Sequence, residues 1–143
     1  MNMSPIEILR EGRSILDPVM HRHGFSFIDG PAGPSSGGPY GSGAYVSGNR
    51  RLEIHFRYSL GLVTYHCGEI SLDHESYMHA LLGANGGNKY PGFSEDPVDA
   101  FRELAYDLGN FATAFLNGNF EEFERCAFAA EERKKIPGFT RLP

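Results

Sequence analysis

The chain has 143 residues, with 13 Lys and Arg against 18 Asp and Glu, a net charge of −5 and 41% apolar residues. Surface scaling at this length lets about 68% of the unfolded surface be buried, enough for one domain with its own core and too little for two. The acid excess argues against nucleic acid as a partner, and no apolar run approaches the roughly 18 residues of a membrane span.

No signal layout opens the chain, and two cysteines, Cys67 and Cys126, are too few for a disulfide framework. A cytoplasmic setting is therefore expected, with neither membrane nor nucleic acid among the partners.

Ser4-Pro5 reads as an N-cap and a first-turn proline. Ile6, Leu9, the stem of Arg13, Leu16 and Met20 fall on one helical stripe, with Ile8, Ile15 and Val19 beside it. Pro18 predicts a kink or restart, and Gly24 a left-handed cap. Phe25–Ile28 follows as a short strand. Eight of the 25 residues from Gly24 to Gly48 are glycine, and 30–43 (GPAGPSSGGPYGSG) is read as a long loop. That length points to function or to disorder.

Two alternating segments come next. Leu52, Ile54, Phe56 and Tyr58 alternate with Arg51, Glu53, His55 and Arg57; Val63, Tyr65 and Cys67 alternate with Leu62, Thr64 and His66. In an antiparallel pair, opposed positions have a constant index sum. A sum of 121 matches the apolar sets, gives a four-residue turn at 59–62 with Gly61 left-handed, and sets His55 opposite His66.

Further on, Asp73 caps a short helix from His74 to Leu82, closed by Gly83, and 83–96 is a second loop. Asp96-Pro97 opens a helix on Phe101, Leu104, Ala105, Leu108, Phe111, Ala112 and Phe115. Asn119 caps a last helix on Phe120, Phe123, Ala127 and Ala130, its acidic start and basic end suiting the helix dipole. The tail 136–143 is read as loosely held. The expected architecture is α+β: an antiparallel β-meander of about four strands covered by helices, in the order α-β-β-β-β-α-α-α, as a single domain over 1–143.

The chemistry is sparse. His74 and His79 are five apart, about 140° around a helix, so they do not form the i, i+4 zinc pair; no metal site and no cofactor is expected. No G-x-S-x-G occurs, Cys67 points to the core where a thiol is inert, and Gly37-Gly38 and Gly86-Gly87 lack the lysine of a phosphate loop. Glu53, His55, Arg57 and His66 share the polar face of the hairpin. They read either as a solvated sheet surface or as a site for an anion or small ligand, with His and Arg as acid, base and cation. Tyr90-Pro91-Gly92-Phe93 puts two aromatics on a turn. That turn is either a plug on the core or, with Tyr40, a contact for a partner.

The opening helix through Asp17-Pro18-Val19-Met20-His21-Arg22-His23-Gly24-Phe25-Ser26-Phe27, followed by a strand meander, resembles small bacterial domains of the DUF4304-like kind and immunity proteins of polymorphic toxin systems. Leu52-Glu53-Ile54-His55-Phe56-Arg57-Tyr58-Ser59-Leu60-Gly61 and Tyr90-Pro91-Gly92-Phe93-Ser94 look like signature blocks. The resemblance covers the first half by layout. It implies a bacterial cytosolic protein that works by binding another protein. With no complete catalytic constellation, the leading expectation is a non-catalytic, immunity-like domain whose acidic surface meets a basic protein partner. The alternative is a small enzyme or anion-binding domain on the hairpin face, and a homodimer stays open.

Overall fold

A computed structural model describes residues 4–33, 40–92 and 94–135. Helix α1 (Pro5–Arg22) begins with a reciprocal cap: the Ser4 hydroxyl accepts the Glu7 N–H at 3.2 Å, and the Glu7 carboxylate accepts the Ser4 N–H at 2.9 Å. These bonds hold the Glu7 carboxyl below its usual range. The helix runs unbroken through Pro18, where the sequence predicted a kink or restart. Its buried face is Ile8, Leu9, Gly12, Leu16, Val19 and Met20, so the seam passes through Gly12 and leaves Ile6 exposed. Gly12 carries no hydrophobic weight in a periodicity, yet a Cβ there would stand 2.3 Å from the Phe101 ring. The helix crossing depends on its absence.

Five strands form one antiparallel sheet in chain order: β1 (Ser26–Asp29), β2 (Gly41–Ser47), β3 (Arg50–Phe56), β4 (Leu60–Cys67) and β5 (Ile70–Asp73). The class is α+β, with one strand more than expected. Gly41–Gly43, read as loop, belong to β2, and a Gly33–Tyr40 bridge closes the described part of the preceding segment. Residues 34–39 and the tail 136–143 lie outside the described residues.

The predicted β3–β4 register is corrected. Arg50 to Ile54 pair with Cys67 to Val63, an index sum of 117, and a bulge before Phe56 sets that residue opposite Leu60. Gly61 lies in β4, outside the turn and without a positive φ. The fixed points are the neighbouring two-residue turns, where Gly48 and Gly68 adopt φ +61° and +62°. They set the ends of β3 and β4, and the core pairs become Leu52–Tyr65 and Ile54–Val63. Leu60, expected in the turn, is buried, while Tyr58, expected inside, is exposed.

Helices cover one face of the sheet. Asp73 caps α2 (His74–Leu82), its carboxylate accepting the Ser76 N–H at 3.1 Å. The expected helix from Asp96-Pro97, ended by Gly118, is two: α3 (Asp99–Phe111) and α4 (Thr113–Asn117), broken at Ala112. Arg50 donates to the Phe115 and Leu116 carbonyls at 2.8 and 2.6 Å, satisfying the end of α4 from the sheet. Asn119 caps α5 (Phe120–Lys134), which buries Phe123, Cys126 and Ala130. The core takes in Leu9, Leu16, Ile54, Phe56, Val63, Tyr65, Phe101, Leu104, Leu108 and Phe115; Phe27 and Phe111 pack at its margin.

Candidate functional site

On the outer face of the sheet, β3 presents Arg51, Glu53 and His55 in alternation, and His66 of β4 lies opposite Arg51. His66 Nε2 is 3.0 Å from Glu53 Oε1, and its Nδ1 is 2.8 Å from the Ser71 hydroxyl of β5. The Arg51 guanidinium approaches the same Glu53 oxygen at 3.9 Å. His55 is four residues along β3 from the position facing His66, about 13 Å at the usual strand rise. The expected cross-strand imidazole pair therefore does not form.

Instead His55 stacks on Tyr40, with centroids 5.1 Å apart and planes at 13°, and the Arg57 guanidinium carbon lies 5.6 Å from the same phenol ring. Of the four predicted site residues, the fold joins Glu53 to His66 and, separately, His55 to Arg57 through Tyr40.

The core holds a second hydroxyl, imidazole and carboxylate. Tyr65 donates its O–H to His74 Nδ1 at 2.7 Å, and the His74 Nε2–H donates to Asp107 at 2.9 Å. Asp107 also accepts the Lys89 and Tyr90 backbone N–H groups at 2.7 and 2.9 Å. Burial, with Tyr77 and Asp107 nearby, pushes the Tyr65 phenol well above its ordinary range, so it remains a donor. Such a chain activates nucleophiles where substrate reaches it. Here His74 is 3% and Asp107 0% exposed. The chain is a fastening between β4, α2, α3 and the 83–98 segment.

Tyr90 completes the fastening. Its ring is buried, its hydroxyl donates to the Leu60 and Gly61 carbonyls, and burial with the Glu103 carboxylate pushes its phenol up to about 12. Tyr90 thus plugs the loop onto the hairpin and presents no exposed ring to a partner. Phe93, paired with it in the sequence reading, lies outside the described residues. Cys67 and Cys126 are free, buried, and raised in pKa by that burial. Among the described residues no group of three His, Cys, Asp or Glu side chains is placed to hold a metal ion, and no helix is long and apolar enough to cross a membrane.

A groove of about 570 Å³ runs between β5 and α5. One wall is Ile70, Ser71, Leu72 and Asp73 with Thr64; the other is Glu124, Ala127, Phe128, Glu131 and Lys134, one side of α5 at spacings of three and four. β5 is an edge strand. Cys67 and Ile70 flank a two-residue turn and bond each other; Tyr65–Leu72 is the next bonded pair. The N–H and C=O of Ser71, between them, point to the open side.

Phe128 is 65% exposed at the groove. Asp73, Glu124 and Glu131 outnumber Lys134, which lies 4.0 Å from Glu131. The sequence reading missed this site. Its one signal was Phe128, an aromatic off the stripe that α5 buries. No family model, curated protein or solved structure matches the chain.

Proposed function

We propose that the chain is a non-catalytic, immunity-like protein-binding domain of the bacterial cytoplasm, and that it captures an extended basic segment of its partner in the β5–α5 groove. The observation carrying this reading is an open strand edge facing an acidic helix side with an exposed Phe128. An added strand gains affinity from main-chain hydrogen bonds at Ser71, and alternate side chains entering the groove give selectivity. Apolar residues of the segment meet Phe128, Ala127 and Leu72, while Lys or Arg meets Asp73, Glu124 and Glu131. The net charge of −5 draws a basic partner from a distance.

A displayed library of unstructured peptides tests this. Enrichment of segments alternating basic and apolar residues is expected, with amide shifts at 70–73 and along α5. Ser71→Pro, tolerated on an edge strand because its N–H faces outward, should abolish capture, and Phe128→Ala should weaken it about tenfold. Enrichment without charge preference, or capture indifferent to both variants, would overturn the reading.

The anion-site alternative draws support from the imidazole and guanidinium that flank Tyr40. Its test is a phosphate titration followed on the His55 ring and Arg57 guanidinium resonances. Shifts confined to those groups support it, and none at saturating phosphate removes it.

A further inference from the structure

On the opposite side of the molecule, the inward positions of β2 read Gly41, Gly43, Tyr45, so the first half of the strand puts no side chain between the sheet and α1. Phe27 takes the space over Gly43, where a Cβ would stand 2.2 Å from its ring. The remaining space is a cavity of about 290 Å³ between the N-terminal half of α1 and the β1–β2 end of the sheet. Its floor is Leu9, Phe27 and Ile6; its charged groups are Arg10, Arg13 and Asp29.

The guanidinium of Arg13 lies 4.3 Å above the centre of the Phe27 ring. Stacking fixes the plane, and the N–H edge already meets one acceptor, with Nε 3.9 Å from Asp17 Oδ1; a ligand would share that edge through the Nη groups. The Arg10 side chain, three residues earlier on the same helix side, makes no hydrogen bond or ion pair among the described residues. It acts only at longer range, helping to hold the Glu7 carboxyl down. Among the lining groups two guanidiniums stand against one carboxylate, while Asp17, paired with Arg13 from outside the lining, offsets part of that excess, in a chain whose net charge is −5. An apolar floor with a few convergent polar groups is the usual build of a small-ligand site, and this volume is at the lower end of their range.

We infer that this cavity binds a small organic carboxylate with an apolar body, its acid group held by Arg10 and Arg13 and its body lying on Leu9 and Phe27. Arg presents paired donors that match a carboxylate edge. Asp29 opposes the ligand's charge and sets a limit on affinity. The site is remote in sequence from the β5–α5 groove and stands whether or not that groove takes a peptide.

Phenylacetate and its uncharged analogue phenylacetamide are the probes, titrated into the full chain while backbone amide shifts are recorded. Phenylacetate should shift Leu9, Gly30, Gly41 and Ser42 with a Kd on the order of a millimolar, as befits a ligand of this size. Phenylacetamide should bind about tenfold more weakly. Arg10→Gln should weaken phenylacetate by a similar factor, and Asp29→Asn should tighten it several-fold, both with the melting temperature of the free protein unchanged. Opposite signs from two exposed residues separate a binding role from a structural one. Equal binding of acid and amide, shifts away from the cavity, no shift at tens of millimolar, or an Arg10→Gln Kd equal to wild type would each overturn the proposal.

Discussion

His74 and His66 each stand between a hydroxyl and a carboxylate at hydrogen-bond distance: His74 between Tyr65 and Asp107, His66 between Ser71 and Glu53. The distances barely differ; the surroundings do. The His66 and Glu53 side chains are 22% and 50% exposed, against 3% and 0% for His74 and Asp107. Water replaces any partner His66 loses. Nothing replaces a partner of His74, because an unpaired polar group in the core keeps its full desolvation cost. Like geometry therefore means rigid attachment in one place and a solvated surface contact in the other.

The largest expected effect is at Asp107. Asp107→Ala strips an acceptor from His74 and from two backbone amides, and should cost about 3–5 kcal/mol in urea denaturation. Alkali comes next. The Tyr90 phenol titrates near 12 when folded and near 10 when unfolded. The folded state keeps a proton that the unfolded state has lost, so stability is intact below pH 10 and falls as pH rises from 10 to about 12. The slope from this phenol alone approaches 1.4 kcal/mol per pH unit, and Tyr65, raised in the same direction, adds to it. Melting scans between pH 9 and 12 read the fall, and a flat profile would mean that the phenols meet water in the folded state.

Tyr65→Phe keeps the ring and leaves His74 Nδ1 without its donor, for a loss of about 1–2 kcal/mol. Glu53→Ala is the smallest: exposed pairs of this kind contribute under about 0.5–1 kcal/mol, and its denaturation midpoint should nearly coincide with wild type. A Glu53→Ala loss equal to that of Asp107→Ala would break the comparison outright.

The faces of the elements were legible in the sequence and their alignment was not. Alternation in 52–58 and 62–67 assigned Ile54, Phe56, Val63 and Tyr65 to the core, where they are. A slip of four residues leaves every side chain on its own face, so period two cannot distinguish a sum of 121 from 117. The turns that decide it, at Gly48 and Gly68, flank the hairpin rather than close it.

The strand after Gly68 is only four residues long and too short for alternation to declare itself. Gly12 and Phe128 escape a periodicity, which reads bulk on one stripe: one marks a contact by lacking a side chain, the other is a ring off the stripe that α5 buries. Asp107 carried a signal that went unread. It sits three residues after Leu104 on the stripe that α3 buries, and a carboxylate there implies partners brought from elsewhere in the chain.

The way Asp107 receives Lys89 and Tyr90 has a consequence in time as well as in energy. Loop amides ordinarily exchange with solvent through small local fluctuations. These two donate to the carboxylate that also holds the start of α2 through His74. Their hydrogens leave when the loop parts from this buried carboxylate, which strands Asp107 short of two donors at the cost of an unpaired buried group. In deuterium exchange, Lys89 and Tyr90 should be among the slowest loop amides of the chain.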